Sequence, residues 1–201
     1  MIYHYHQFNE ALAKVTKNDV LVFPTDTVYG IGASIYSPKA IDKIFKIKRR
    51  PVDKSLIVLC ADKGQLEEII GPLSDKIERL VDHFLPGALT LVLNCYKPLC
   101  EEITRGKQTI GVRIPNHPVA IELLNQLGPL ATTSANLSGE PSPIKIEKSN
   151  PIINEVPYVF DAGETEGGVP STILDCTNDR FYVLREGAIS KREIDAVLKK
   201  I

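Results

Sequence analysis

The sequence predicts an α/β domain built around a mixed β-sheet. Eight short runs rich in β-branched and aromatic residues recur along the chain, at 20–23, 55–60, 88–93, 109–114, 130–133, 158–161, 171–176 and 181–185. Between them stand apolar residues spaced three and four apart, the pattern of helices that bury one face. A chain of 201 residues supports a substantial core, and no repeat or linker divides it, so one domain over 1–201 is expected.

In order, Val20-Leu21-Val22-Phe23 reads as a strand that empties into Pro24-Thr25-Asp26-Thr27-Val28-Tyr29-Gly30-Ile31-Gly32. This reads as a polar turn whose glycines let backbone approach a ligand. Ser37 and Pro38 supply an N-cap and a first-turn proline for a helix with Ala40, Ile41, Ile44 and Phe45 on one side. Pro51 ends it. Asp62 with Gln65 caps the next helix, and Ile77, Leu80, Val81 and Phe84 mark another. Ala120, Leu123, Leu124 and Leu127 form a further stripe. His117 precedes it and His83 stands alone, both reading as surface or capping residues. Ser190 with Glu193 opens a last helix carrying Ile194, Val197, Leu198 and Ile201. The segments 138–143 and 161–170, rich in glycine, proline and acids, are loops at the edge of a site.

The balance of 24 Lys and Arg against 25 Asp and Glu means that any nucleotide or nucleic-acid binding rests on local clustering. Four cysteines show no CxxC pair. Cys95 and Cys100 are close enough to bridge a loop, although free thiols in a reducing cytosol fit better. No apolar run approaches membrane-spanning length, and the first residues lack the apolar core of a signal peptide, so a cytoplasmic location is expected.

Lys43, Lys46, Lys48, Arg49, Arg50 and Lys54 face only Asp42 and Asp53 in their segment. Either they form a solvated helix end, or Lys48 and Arg50, projecting beyond a helix stopped by Pro51, converge on an anion. In 109–114, alternation sends Thr109, Gly111 and Arg113 to one strand face. An arginine on a core-like strand needs a partner, either an internal carboxylate or that of a ligand. Ser134-Ala135-Asn136 follows a strand and offers either turn caps or a hydroxyl and an amide to a ligand. A P-loop, a dinucleotide fingerprint, a nucleophile elbow and an HExxH motif are all absent from the sequence.

Taken together, the turn at 24–32, Lys48-Arg49-Arg50-Pro51, Thr109-Ile110-Gly111-Val112-Arg113-Ile114-Pro115, Ser134-Ala135-Asn136, Pro170-Ser171-Thr172 and Leu184-Arg185-Glu186-Gly187 resemble the YrdC-like family of threonylcarbamoyl-AMP synthases. The resemblance runs from about residue 9 to about residue 189 and is nearest the short single-domain bacterial type. It implies a twisted open mixed sheet with helices packed around it and a basic concave cavity. It also implies condensation of L-threonine, bicarbonate (or CO2) and ATP to threonylcarbamoyl-AMP and pyrophosphate, for threonylcarbamoyladenosine modification of tRNA. Lys48 and Arg50 would be catalytic. ATP would meet Lys48, Arg50, Lys54, Thr109, Asn136, Ser142 and Arg185, and L-threonine would meet Thr27, Arg113, Ser134 and Ser171. Three positions depart from the family pattern. Lys54-Ser55 stands where longer members have asparagine–proline, Ile144 where a threonine is usual, and Glu186 where a proline is usual.

Mg2+ would arrive with ATP, with no protein ligand identified for it. The product would pass to the tRNA threonylcarbamoyl-transfer proteins. A non-enzymatic protein of the same fold that binds double-stranded RNA or tRNA is the alternative, and a carbamoyl-transfer module related to hydrogenase maturation is a third reading. The longer members carry an extra C-terminal domain, which is not expected here.

Overall fold

All eight anticipated strands form, and two more join them in one ten-stranded mixed sheet, in a computed structural model whose described residues are 1–95 and 101–199. In chain order they are β1 (Ile2–His4), β2 (Leu21–Phe23), β3 (Gly30–Ser34), β4 (Ile57–Leu59), β5 (Leu89–Asn94), β6 (Thr109–Arg113), β7 (Leu130–Ser134), β8 (Tyr158–Asp161), β9 (Thr172–Asp175) and β10 (Tyr182–Arg185). Across the sheet they run β1-β8-β2-β3-β7-β4-β6-β5-β9-β10. The centre, β2-β3-β7-β4, is antiparallel, while β4-β6 and β5-β9 are parallel pairs. The anticipated pairing of Cys95 with Cys100, and Ile201 on the last helix, lie outside the described residues.

The helices are α1 (Phe8–Leu12), α2 (Pro38–Lys48), α3 (Lys63–Ile70), α4 (Asp75–Phe84), α5 (Glu101–Thr104), α6 (Pro118–Leu127), α7 (Ile152–Glu155) and α8 (Lys191–Leu198). The caps read from sequence are made. Ser37 accepts from the Ala40 amide, Asp62 from the Gln65 amide, and Ser190 with Glu193 closes a capping box. His117 caps α6 through Nδ1, which accepts from the Val119 amide. The short α1, α5 and α7 were too brief to show a stripe.

Gly30 and Gly32 correct the expected turn, because they lie inside β3 at the middle of the sheet. A Cβ on Gly32 would stand 2.8 Å from Thr132 Oγ1 and 3.0 Å from Phe23 Cε1. These glycines make room for neighbouring side chains, and the turn itself shrinks to residues 24–29.

The two sheet faces are covered unequally, and this difference makes the site. One face carries the larger core, with Ile41 and Ile44 of α2, Leu66 of α3, Leu80 of α4 and Ile194 of α8 against Val22, Val58 and Val112. On the other, Phe8 and Leu12 of α1 and Leu123 and Leu124 of α6 cover Phe23, Leu59, Leu130 and Phe160. Alternation along β7 puts Thr132 and Ser134 on the same face as Leu130. There the helical cover stops and a cavity begins.

Candidate functional site

A cavity of about 270 Å³ opens on this bare part of the sheet. The centre of its floor comes from Gly30, Ile57, Leu59 and Thr132, and its walls from Thr25, Thr27, Val28, Ser142, Pro170 and Ser171. Three arginines, Arg50, Arg113 and Arg185, line it, with no acidic residue among the lining side chains. Nine serines and threonines complete the polar surface. Cations set among neutral hydroxyls suit an anion, because the hydroxyls donate without cancelling the charge.

Arg113 is 4% exposed and held at three points. Its Nε donates to the Gly87 carbonyl (2.8 Å), Nη1 to Thr27 Oγ1 (3.0 Å) and Nη2 to Asp26 Oδ1 (2.5 Å). The internal carboxylate among the sequence alternatives is present, as Asp26, and Arg113 also lines the cavity. Of five guanidinium N–H groups, one on each terminal nitrogen is left beyond these three bonds. Burial draws its pKa down and the Asp26 carboxylate opposes this, so it stays charged. Asp26, which the sequence reading passed over as a turn residue, also accepts from the Asn116 amide (3.0 Å).

Thr27 and Thr25 are hydrogen-bonded around this pair. The Thr25 hydroxyl donates to the Val28 carbonyl at 2.7 Å, so the 3.0 Å contact between the two hydroxyls uses the Thr27 hydrogen. Thr27 Oγ1 therefore donates to Thr25, accepts from Arg113, and keeps one lone pair for a donor in the cavity.

Arg50 reaches the cavity because α2 ends in a left-handed residue, Arg49 (φ 50°), which turns the chain back toward the sheet. Arg50 Nε donates to the Lys54 carbonyl (3.1 Å) and Nη2 to the Ser55 carbonyl (2.7 Å), with Nη1 3.4 Å from Thr133 Oγ1. Arg185, at the rim, donates through Nη2 to the Ser171 carbonyl (2.7 Å). Ser171 Oγ meets the fully buried Thr90 Oγ1 at 2.8 Å.

Seven anticipated residues line one cavity: Thr27, Arg50, Arg113, Ser134, Ser142, Ser171 and Arg185. Four stand elsewhere. Lys48 was expected to project from the helix end, but it is 1% exposed. Its ammonium donates to the carbonyls of Ser134 and Asn136, behind the cavity wall. Burial first, and then Arg50, lower its pKa to about 7. Lys54 is exposed and contributes its carbonyl. Thr109 sits opposite Asn94, at the far end of β6 from Arg113. Asn136 donates to the carbonyls of Leu137 and Glu140, bracing the 138–143 loop, and lines a neighbouring recess that also contains Ser142. Its buried Oδ1 has no hydrogen-bond partner among the described residues.

Residues 13–187 match the Sua5_yciO_yrdC family, described as "Telomere recombination". Threonylcarbamoyl-AMP synthase of Bacillus subtilis is 44% identical over 97% of this chain and 57% of that protein. The solved structure of Pyrococcus abyssi Sua5 complexed with L-threonine superposes with a TM-score of 0.91 at 34% identity, over 100% of this chain and 62% of that one. Escherichia coli YciO gives 0.84 at 26% identity, over 96% and 98%. The chain thus spans a little over half the length of the Bacillus relative. With an open mixed sheet, an arginine-lined cavity and motifs in family order, this chain belongs to the Sua5/YciO/YrdC family.

Proposed function

We propose that the chain, as one domain, is a threonylcarbamoyl-AMP synthase acting in tRNA modification. The observation that carries this reading is the convergence of Arg50, Arg113 and Arg185 on one hydroxyl-lined cavity with no lining acid. ATP and a carbamate are both anions, and bringing them together is the electrostatic problem of the reaction. The synthase names of the relatives and the threonine-bound Pyrococcus structure support the choice of substrates.

In this reading the threonine amine adds to CO2, giving a carbamate and releasing a proton. A carbamate oxygen then attacks the α-phosphorus of ATP, the bond from that phosphorus to the α,β-bridging oxygen breaks, and pyrophosphate leaves with the bridging oxygen and the electron pair. Arg113 takes the threonine carboxylate with its two free N–H groups, while the Thr27 lone pair accepts from a substrate donor. Arg50 and Arg185 hold phosphate oxygens. Ser134, Ser142 and Ser171 supply neutral contacts. Such a site works by alignment and charge stabilisation, with little proton transfer asked of side chains. Lys48 gives two of its three ammonium donors to the Ser134 and Asn136 carbonyls and so braces the strand end beside the phosphate-binding arginines.

Mg2+ supplies charge neutralisation on the phosphates when it enters with ATP. Among the described residues no group of three or more His, Cys, Asp or Glu is placed to hold a metal ion. Among them too, no helix is long and apolar enough to cross a membrane. In the proposed role the protein acts in the cytoplasm and hands its product to tRNA threonylcarbamoyl-transfer proteins. A cavity of this size suits small anions better than an RNA backbone. Pyrophosphate release from ATP should require both threonine and bicarbonate. Release that ignores either one would overturn the assignment.

A further inference from the structure

The 161–170 loop contributes only Pro170 to the cavity lining, yet it is tied to both walls. Between residues 162 and 169 one side chain alone turns inward: Thr165, 6% exposed among exposed neighbours. Its amide donates to the Ile144 carbonyl (2.8 Å) and its hydroxyl to the Thr27 carbonyl (3.0 Å). Ile144 follows the wall residue Ser142, and Thr27 belongs to the wall that carries Arg113. One residue therefore spans both walls with its own two donors.

The surroundings reinforce that bridge. The Gly167 amide donates to the Asp26 carbonyl at 3.1 Å, and a Cβ on Gly167 would stand 2.4 Å from that oxygen. The loop thus lies directly on the backbone of the Asp26–Thr27 turn. At its start the buried Tyr29 hydroxyl donates to the Gly163 carbonyl (2.7 Å) and accepts from the Ala162 amide (3.1 Å). The Tyr29 amide donates to the Pro143 carbonyl (2.8 Å). A threonine in an exposed loop costs nothing when it faces water. Turning it inward pays only if its hydroxyl finds a partner, and here that partner is a wall of the site.

We propose that Thr165 is a positioning residue that fixes the spacing of the two cavity walls and thereby couples the binding of the two substrates. The inference rests on the proposed assignment of the Thr27–Arg113 wall to the amino acid and the Ser142 wall to the nucleotide. Whichever substrate binds first orders its own wall, and Thr165 passes that order to the other. By linkage the coupling is reciprocal.

Thr165→Val removes the hydroxyl at nearly constant volume and keeps the amide bond to Ile144, while Thr165→Ser keeps the hydroxyl. Threonine KM should rise roughly five- to tenfold in the valine variant, the worth of about one net hydrogen bond. The factor by which ATP tightens threonine binding, read by calorimetry, should fall toward one, and the serine variant should restore both. Threonine KM and coupling unchanged in Thr165→Val, with only the melting temperature lowered, would overturn the proposal. If the unmodified protein fails to release pyrophosphate, the assigned reaction falls, and hydrogen exchange tests the bridge without substrate. Amides 27–29 and 165–167 should then exchange faster together in Thr165→Val. Acceleration confined to residue 165 would overturn the bridge as well.

Discussion

Removing the Asp26 carboxylate should damage both the fold and the end of the site proposed for the amino acid, because among the described residues Asp26 is the acid bonded to the nearly inaccessible Arg113 guanidinium. Arg113 is 4% exposed, and Asp26 takes one of its three protein-bound N–H groups. Deleting one partner of a buried pair typically costs about 3–5 kcal/mol, since the other charge is left uncompensated. The Asp26 side chain is 16% exposed and water can partly replace it, so Asp26→Ala should lie at the lower end, about 3 kcal/mol. Asp26→Asn keeps an acceptor for Arg113 and for the Asn116 amide while losing the charge, and should cost about 1–2 kcal/mol. Urea unfolding measures both. Threonine KM should follow the same order, with alanine worse than asparagine, because the guanidinium loses its fixed orientation. Stability within about 0.5 kcal/mol of the unmodified protein in Asp26→Ala, with threonine KM unchanged, would refute the pairing argument.

Arg113→Lys keeps the charge but loses the planar fork, so threonine KM should rise more than ATP KM. A loss of stability with both constants intact would leave Arg113 only its internal ion pair. Lys48 has a pKa of about 7 in the folded chain against 10.5 when unperturbed, so between these values the unfolded chain binds the extra proton. Stability therefore gains from Lys48 as pH rises through that window, and its full cost is present below about pH 7. Lys48→Met should remove this component, visible as a difference in urea stability between about pH 6 and about pH 9. Parallel pH profiles for the two proteins would contradict the burial of the ammonium. Gly32→Ala forces a Cβ against Thr132 and Phe23 and should cost about 1–3 kcal/mol, partly recovered by Thr132→Ala, as thermal unfolding would reveal.

Much of the sheet was legible because strand runs and helix caps are local signals. The features that escaped are those whose cause lies far along the chain. β1 has only three residues and owes its state to pairing with β8, more than 150 residues away. β3 was hidden by its glycines, which weaken strand propensity; their reason is the bulk of Phe23 and Thr132 on neighbouring strands. A lysine at a basic helix end reads as solvated, and only the carbonyls of Ser134 and Asn136 explain why Lys48 is inside. Asp26 looked like a turn residue because Arg113 stands 87 positions on. Thr165 showed nothing beyond its place in a polar loop. Arg113 itself was found by strand alternation, since an arginine on an apolar strand face demands a partner.

The three cavity arginines share a manner of support that explains how a chain of nearly balanced charge builds an anion site. Arg50 rests on the carbonyls of Lys54 and Ser55, Arg185 on that of Ser171, and Arg113 on that of Gly87 as well as on Asp26. Backbone carbonyls orient a guanidinium by hydrogen bonds, yet they carry no net charge to cancel it. Three carboxylate partners would have fixed the same geometry and erased the positive potential. The one true ion pair falls at Arg113, the most deeply buried of the three, where an uncompensated charge is most costly. Elsewhere charge is left unpaired near solvent, available to a substrate that brings its own negative charge. In the proposed reaction, donors fixed beforehand would not have to reorganise as charge develops on the attacked phosphorus and its leaving group, and that is the condition for stabilising a transition state by position alone.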